Sequence, residues 1–133
     1  MSGGTFLLDL ASARLAYASQ RNTVIARNIA HADTPGFKAL DVAEFDFARM
    51  AASESAQPKA TRPDHAVAPL PQGRVAVETR EMPATDESPD GNTVTLEEQM
   101  VKAAETRGQF ELAATLYAKH LSLLRTAIGR DSR

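Results

Sequence analysis

Residues 95–130 read TLEEQMVKAAETRGQFELAATLYAKHLSLLRTAIGR, a proline-free run rich in Ala, Leu, Glu and Arg. Leu96, Met100, Ala103, Arg107, Phe110, Ala114, Tyr117, Leu121, Leu124 and Ile128 recur at alternating spacings of 4 and 3. That period draws an apolar stripe along one helix face, with Arg107 as its polar member. Thr95 with Glu98 predicts a capping box at the start, and Gly129 a stop. The same rhythm runs through Leu8, Ala11, Leu15, Ala18, Asn22, Ile25, Ile29 and Ala32, with Asn22 as the polar member. A helix is therefore predicted over roughly 6–33. It ends at Asp33-Thr34-Pro35-Gly36, because the residue before a proline is driven out of the α region.

Two stripes of one period need each other or a partner. Antiparallel pairing with Ala32 near Leu96 places Asn22 opposite Arg107, so that the two polar members share a layer and set the register.

All seven prolines lie between Pro35 and Pro89. Net charge is +1 over 1–33, −4 over 34–92 and +1 over 93–133. The predicted fold is mainly α. Residues 1–33 and 93–133 form a discontinuous antiparallel coiled-coil core, and 34–92 an acidic, irregular segment expected to be mobile in the free monomer. Within that segment Glu44–Ala52 is predicted as a brief helix anchored by Phe45 and Phe47, and Arg74–Arg80 as a short strand.

The whole chain has 133 residues, net charge −2, no cysteine and only 5% aromatic residues. This balance gives no footprint for nucleic acid or an anionic membrane. The absence of cysteine removes disulfides, thiolate catalysis and sulfur-based zinc sites. Residues 1–9 lack the basic start and long apolar run of a cleaved signal, and no stretch approaches the roughly 18 apolar residues of a membrane span. The expectation is a chain that is cytosolic or exported without a cleaved signal, and not membrane-inserted.

Asp86 to Glu97 fits a calcium loop by side-chain oxygens at positions 1, 3 and 5, glycine at 6 and glutamate at 12. Against it, Pro83 interrupts any entering helix, Pro89 stiffens position 4, and Thr93 replaces the expected apolar residue. The competing reading makes Asp90-Gly91-Asn92 a turn into a capped helix, with a calcium-responsive helical binding module as the alternative function. His31 with Asp33 lacks a third ligand nearby, and His65 and His120 stand apart, so neither metal nor acid–base chemistry is indicated. No serine lies in a nucleophile elbow and no glycine loop cradles phosphate. Arg14, Arg21 and Arg27 follow one stripe, read as a solvated or interfacial face. No catalytic residue, metal or cofactor is expected.

The run Ala26-Arg27-Asn28-Ile29-Ala30-His31-Ala32-Asp33-Thr34-Pro35-Gly36-Phe37 resembles the signature A-N-N-I-A-N-x-x-T-P-G-Y/F of bacterial flagellar axial proteins, the rod, hook and filament-junction family. Asn28, Ile29, Ala30, Thr34, Pro35, Gly36 and Phe37 match it, while Arg27 and His31 replace asparagines. The short length, Asp41-Val42, Phe45, Phe47, Thr61-Arg62-Pro63-Asp64-His65 and Asp90-Gly91-Asn92-Thr93-Val94 resemble the proximal-rod branch. The resemblance implies a structural, non-enzymatic subunit of the basal body, exported by the flagellar type III apparatus to the periplasmic rod. The partners it implies are other rod proteins, the MS ring and its adaptor, and copies of itself. Phe6 and Leu10 resemble the hydrophobic export element of such substrates; packing of Phe6 on Leu124 or Ile128 is the equal alternative.

Overall fold

The first helix forms where prolines are absent and alanines recur. In the computed structural model, which describes residues 2–46, 48 and 77–130, α1 runs over Ser2–Ala30 and α2 over Leu96–Arg130. At 1.5 Å per residue these are bars of about 44 and 52 Å. The last turn of α1 tightens before Pro35: the His31 N–H is shared between the Arg27 and Asn28 carbonyls, both at 3.1 Å, and the Ala32 N–H reaches the Ile29 carbonyl. At the start of α2 the Thr95 carbonyl accepts from the Gln99 N–H at 3.0 Å. Glu98, however, is turned to Lys102 and Thr85. The predicted reciprocal box is thus replaced by a contact to the incoming chain.

The helices lie antiparallel. Gly4 sits beside His120 and Leu124 at one end, and Asn28 bonds Gln99 at the other. Ala32 and Leu96 line one depression, the register expected from the sequence. The buried apolar residues are mostly small: Ala13, Ala18 and Ala113 with Ile25 on the helices, and Ala39 and Val42 beside them. Alanine lets the helix axes approach closely but buries little area per residue, so the core is a narrow seam.

Two three-residue strands close off the insertion. β1 (Leu40–Val42) pairs antiparallel with β2 (Thr79–Glu81), in the register Leu40↔Glu81, Asp41↔Arg80 and Val42↔Thr79. Bonds from the Ala43 N–H to the Glu78 carbonyl and from the Met82 N–H to the Ala39 carbonyl extend the ladder. The observed strand starts at Thr79, within the end of the predicted one, whose residues 74–76 lie outside the described residues. Of the helix predicted over 44–52, residues 44–46 are non-helical, and Phe47 and all the rest but Ala48 lie outside the described residues. Residues 34–46 and 77–95 are laid along the α1 end and α2 start, joined to them by hydrogen bonds.

A seam this tight has no room for growth. Ala113→Leu, at a position 2% exposed, is expected to lower unfolding stability by about 1–3 kcal/mol while keeping helicity. Urea titration followed by circular dichroism checks it; an unchanged midpoint would show that the seam can open at no cost.

Candidate functional site: an amide-pinned junction

The motif residues converge where α1 ends, the insertion leaves and α2 begins. Asn28 is 0% exposed in the last turn of α1. A buried primary amide must find partners for two donors and an acceptor. Asn28 Nδ2 donates to the Leu40 carbonyl at 2.7 Å and to Gln99 Oε1 at 2.9 Å, and its Oδ1 accepts from the Leu40 N–H at 3.1 Å. One side chain thereby ties α1, β1 and α2.

Asn92 does the same from the segment that leads out of the insertion into α2. Its Nδ2 donates to the carbonyls of His31 (2.9 Å) and Thr34 (2.7 Å), and its Oδ1 accepts from the Val94 N–H at 2.8 Å. The backbone completes the clamp: the Gly36 N–H donates to the Asp90 carbonyl, the Thr93 N–H to the Phe37 carbonyl, and the Ala39 N–H to Thr93 Oγ1. Gly36 and Gly91 have φ of 71° and 83°, a region that a side chain strains. A Cβ on Gly91 would stand 3.5 Å from the Gly36 Cα, so the two turns cross back to back. Pro35 fixes the first of these turns, and Phe37 stacks on His31 at 4.5 Å between ring centroids.

Beside the amides lies a charge cluster. Asp41 on β1 accepts from Arg21 Nε (3.2 Å) and Nη2 (3.3 Å) of α1 and from Lys102 Nζ (3.1 Å) of α2. Burial alone would raise the Asp41 pKa, but the hydrogen bonds from Arg21 and Lys102 outweigh it and hold the carboxyl below its ordinary value. Lys102 also donates to the sulfur of Met82, the residue that follows β2, at 3.2 Å. One turn further along α1, Tyr17 meets Phe45 edge-on at 5.6 Å, with Arg14 against the same ring. Burial raises the Tyr17 pKa; nearby Arg21 opposes this, and Asp41 and Glu44 add to it.

The chemistry of this junction is that of fastening. Its polar groups face one another, and among the described residues no group of three or more His, Cys, Asp or Glu is placed to hold a metal. In the loop matched to a calcium site, Asp86 Oδ1 accepts from the Glu87 N–H and Asp90 Oδ1 from the Asn92 N–H, while Glu87 pairs with Lys38. His31 shares a hydrogen bond with Thr34, and His120 Nε2 donates to the Gly4 carbonyl at 2.9 Å. Ile29, Ala30, Thr34, Pro35 and Gly36 of the motif are exposed and Phe37 half-buried. Along the predicted seams Ala18 and Ile25 are buried, and Leu8, Leu15, Tyr117, Leu121 and Leu124 half-buried. Asn22, Ile29, Met100, Arg107, Phe110 and Ile128 are exposed. Asn22 and Arg107 line the same groove, Arg107 paired with Glu111. Phe6 and Leu10 are half-buried, and Leu10 lines a groove with Leu112 and Leu116.

On α2 the buried stripe is turned from the predicted one to Gln99, Thr106 and Ala113, while on α1 Ala18 and Ile25 of the predicted stripe are buried and Asn28 joins them. The sequence pattern points to neither Gln99 nor Lys102, and it marks Asn92 and Asp41 only as part of a turn and of the resemblance, not as fastening groups. The available signal is Gln99, Thr106 and Ala113 at seven-residue spacing along α2, a row that an apolar-only count passes over.

No family model matches the chain. It is 36% identical over 113 residues, 83% of either chain, to "Flagellar basal body rod protein FlgB" of Agrobacterium fabrum. A protein of the same name from Cereibacter sphaeroides is 31% identical over 128 residues, 96% of this chain and 98% of the relative.

Two substitutions test the junction. Asn28→Ala leaves the Leu40 backbone and Gln99 without their partners and is expected to cost about 2–4 kcal/mol in urea unfolding; a loss below about 0.5 kcal/mol would show that the amide is dispensable. Asp41→Asn is expected to cost about 1–2 kcal/mol near pH 7. Because the folded Asp41 pKa lies below its ordinary 3.8, its contribution is complete above about pH 4 and is lost as pH falls through the lowered folded value. The gap between wild type and variant should therefore close in acid. A gap that widens below pH 4 contradicts the assignment.

Proposed function

The chain belongs to the FlgB family of flagellar basal body rod proteins, and from that premise we propose that it is a structural subunit of the proximal rod. In this reading it assembles by helix packing with neighbouring rod subunits between the MS ring with its adaptor and the distal rod, and it transmits torque. It reaches the periplasmic rod through the flagellar type III apparatus without a cleaved signal, and Phe6 and Leu10 serve export or packing. No helix of the described residues is long and apolar enough to cross a membrane.

One observation carries the reading. The two bars leave large apolar side chains in water, among them Met100 at 68% and Ile128 at 73% exposure, while their insertion end is locked by buried amides. A subunit built this way is rigid at the joint and unfinished along its length, which suits a member of a larger helical assembly. The 86–97 loop serves as a clamp on the α1 end.

The test is genetic and biochemical. Deleting the gene in its own bacterium is expected to abolish motility and hooks, and a tagged copy should restore both and co-purify with basal bodies. A motile deletion strain with normal hooks would end this reading.

A further inference from the structure

Near its middle α2 carries two residues that its fold does not explain. Thr106 is 1% exposed, and its Oγ1 is the buried side-chain oxygen left without a partner among the described residues. Elsewhere on the two helices Thr23, Thr115 and Thr126 each donate to the carbonyl four residues back, at 3.1, 2.9 and 3.0 Å. Thr106 has the same option in the Lys102 carbonyl and does not take it. Two residues on stands Gly108, outside the left-handed region and with nothing within 4 Å of where a Cβ would be. Neither a turn nor a close approach calls for glycine there, yet glycine disfavours a helix interior by a factor of about five against alanine.

At 100° per residue the two lie about 200° apart around α2, so Thr106 faces α1 and Gly108 faces away, with exposed Ala104 one turn before it. A threonine that bonds the carbonyl four residues back loads that carbonyl twice, lengthens the backbone ladder on its own side and bends the helix toward the opposite one. Here the opposite side is the one where Gly108 has no side chain to be crowded. The turns before Thr106 are fastened, Gln99 to Asn28 and Lys102 to Asp41. Those after Gly108 rest on α1 at the small, buried Ala113 and, near the far end, through His120 Nε2 on the Gly4 carbonyl at 2.9 Å.

We propose that α2 is hinged at Thr106 to Gly108. In the second state the Thr106 hydroxyl donates to the Lys102 carbonyl, the helix bends at Gly108, and the arm beyond it swings off α1 as one piece while the insertion end keeps its place. The swing exchanges one hydrogen bond to a carbonyl, His120 on Gly4, for another, Thr106 on Lys102. Leu121, Leu124 and Tyr117 of the arm are already half in water, so the apolar area it uncovers is small and the two states lie close in free energy. A bend of about 20° moves Ser122, about 21 Å from the hinge, by about 7 Å. The inference goes beyond the rod reading and does not rest on it.

The chain has no cysteine, so a pair of introduced thiols carrying spin labels reports one chosen distance. In the full folded chain, labels at the exposed positions Asp9→Cys and Ser122→Cys should give two distances about 7 Å apart. Labels at Thr23→Cys and Val101→Cys, across the fastened half, should give one. His120→Ala removes the bond that the swing must break and should enlarge the longer population several-fold. Gly108→Ala and Thr106→Val should each abolish it, and Thr106→Ser, which keeps the hydroxyl, should retain it. Gly108→Ala raises the ratio of folded to unfolded chain about fivefold with or without a hinge, so the distances decide and the stability does not. A single narrow distance between positions 9 and 122 even in the His120→Ala chain would overturn the hinge, as would a longer one that persists in either Gly108→Ala or Thr106→Val. Loss of amide-exchange protection over 112–120 in the His120→Ala chain would overturn it too, because it marks an arm that unravels and not one that swings.

Discussion

A primary amide sealed from water decides the arrangement of everything around it. Asn28 has no exposed surface, so each of its hydrogen-bonding groups must find a partner in the protein or forfeit about 1–3 kcal/mol. The partners it finds belong to β1 and to α2, and that requirement fixes where the insertion leaves and how far α2 is rotated about its own axis. With Gln99 held against Asn28, the face seven residues on, at Thr106 and then Ala113, is the face turned to α1. The apolar a/d stripe lies to one side of it. Polar satisfaction at one end thus sets the rotation of α2, and large apolar side chains along its length, among them Met100, Leu112, Leu123 and Ile128, are left in water.

The charge cluster reinforces that choice. Asp41 receives Arg21 from one helix and Lys102 from the other, with its side chain only 20% exposed. Neither pair lies within one element, so the cluster senses the relative placement of α1, β1 and α2 in a way that Arg107 with Glu111, four residues apart on an exposed helix face, does not.

Much of the architecture is legible in the sequence. Proline distribution located both helices and their ends within a few residues, because the steric rule behind it acts locally. Antiparallel pairing and its register followed from matching periods. The rotation of α2 about its axis did not follow, because a count of apolar positions weighs Leu and Met above Asn, Gln and Thr, whereas here the buried positions include Asn28 on α1 and Gln99 and Thr106 on α2. Strands of three residues show no alternation to read, and β1 owes its existence to Asn28 holding the Leu40 backbone from the side. Of the site, the motif residues were visible through resemblance alone; that Asn28 and Asn92 act as clamps became clear only from the groups they meet across 71 and 61 residues of chain.

The back-to-back crossing of Gly36 and Gly91 closes a neck just above the helix ends. Since β1 pairs with β2 immediately beyond it, both ends of the intervening chain are held at a fixed separation whatever lies between them. Loop-closure entropy grows only logarithmically, about 0.6 kcal/mol per doubling of length. The neck therefore makes the inserted chain a replaceable module: its content can be lengthened, shortened or exchanged without shifting the register of the shaft below.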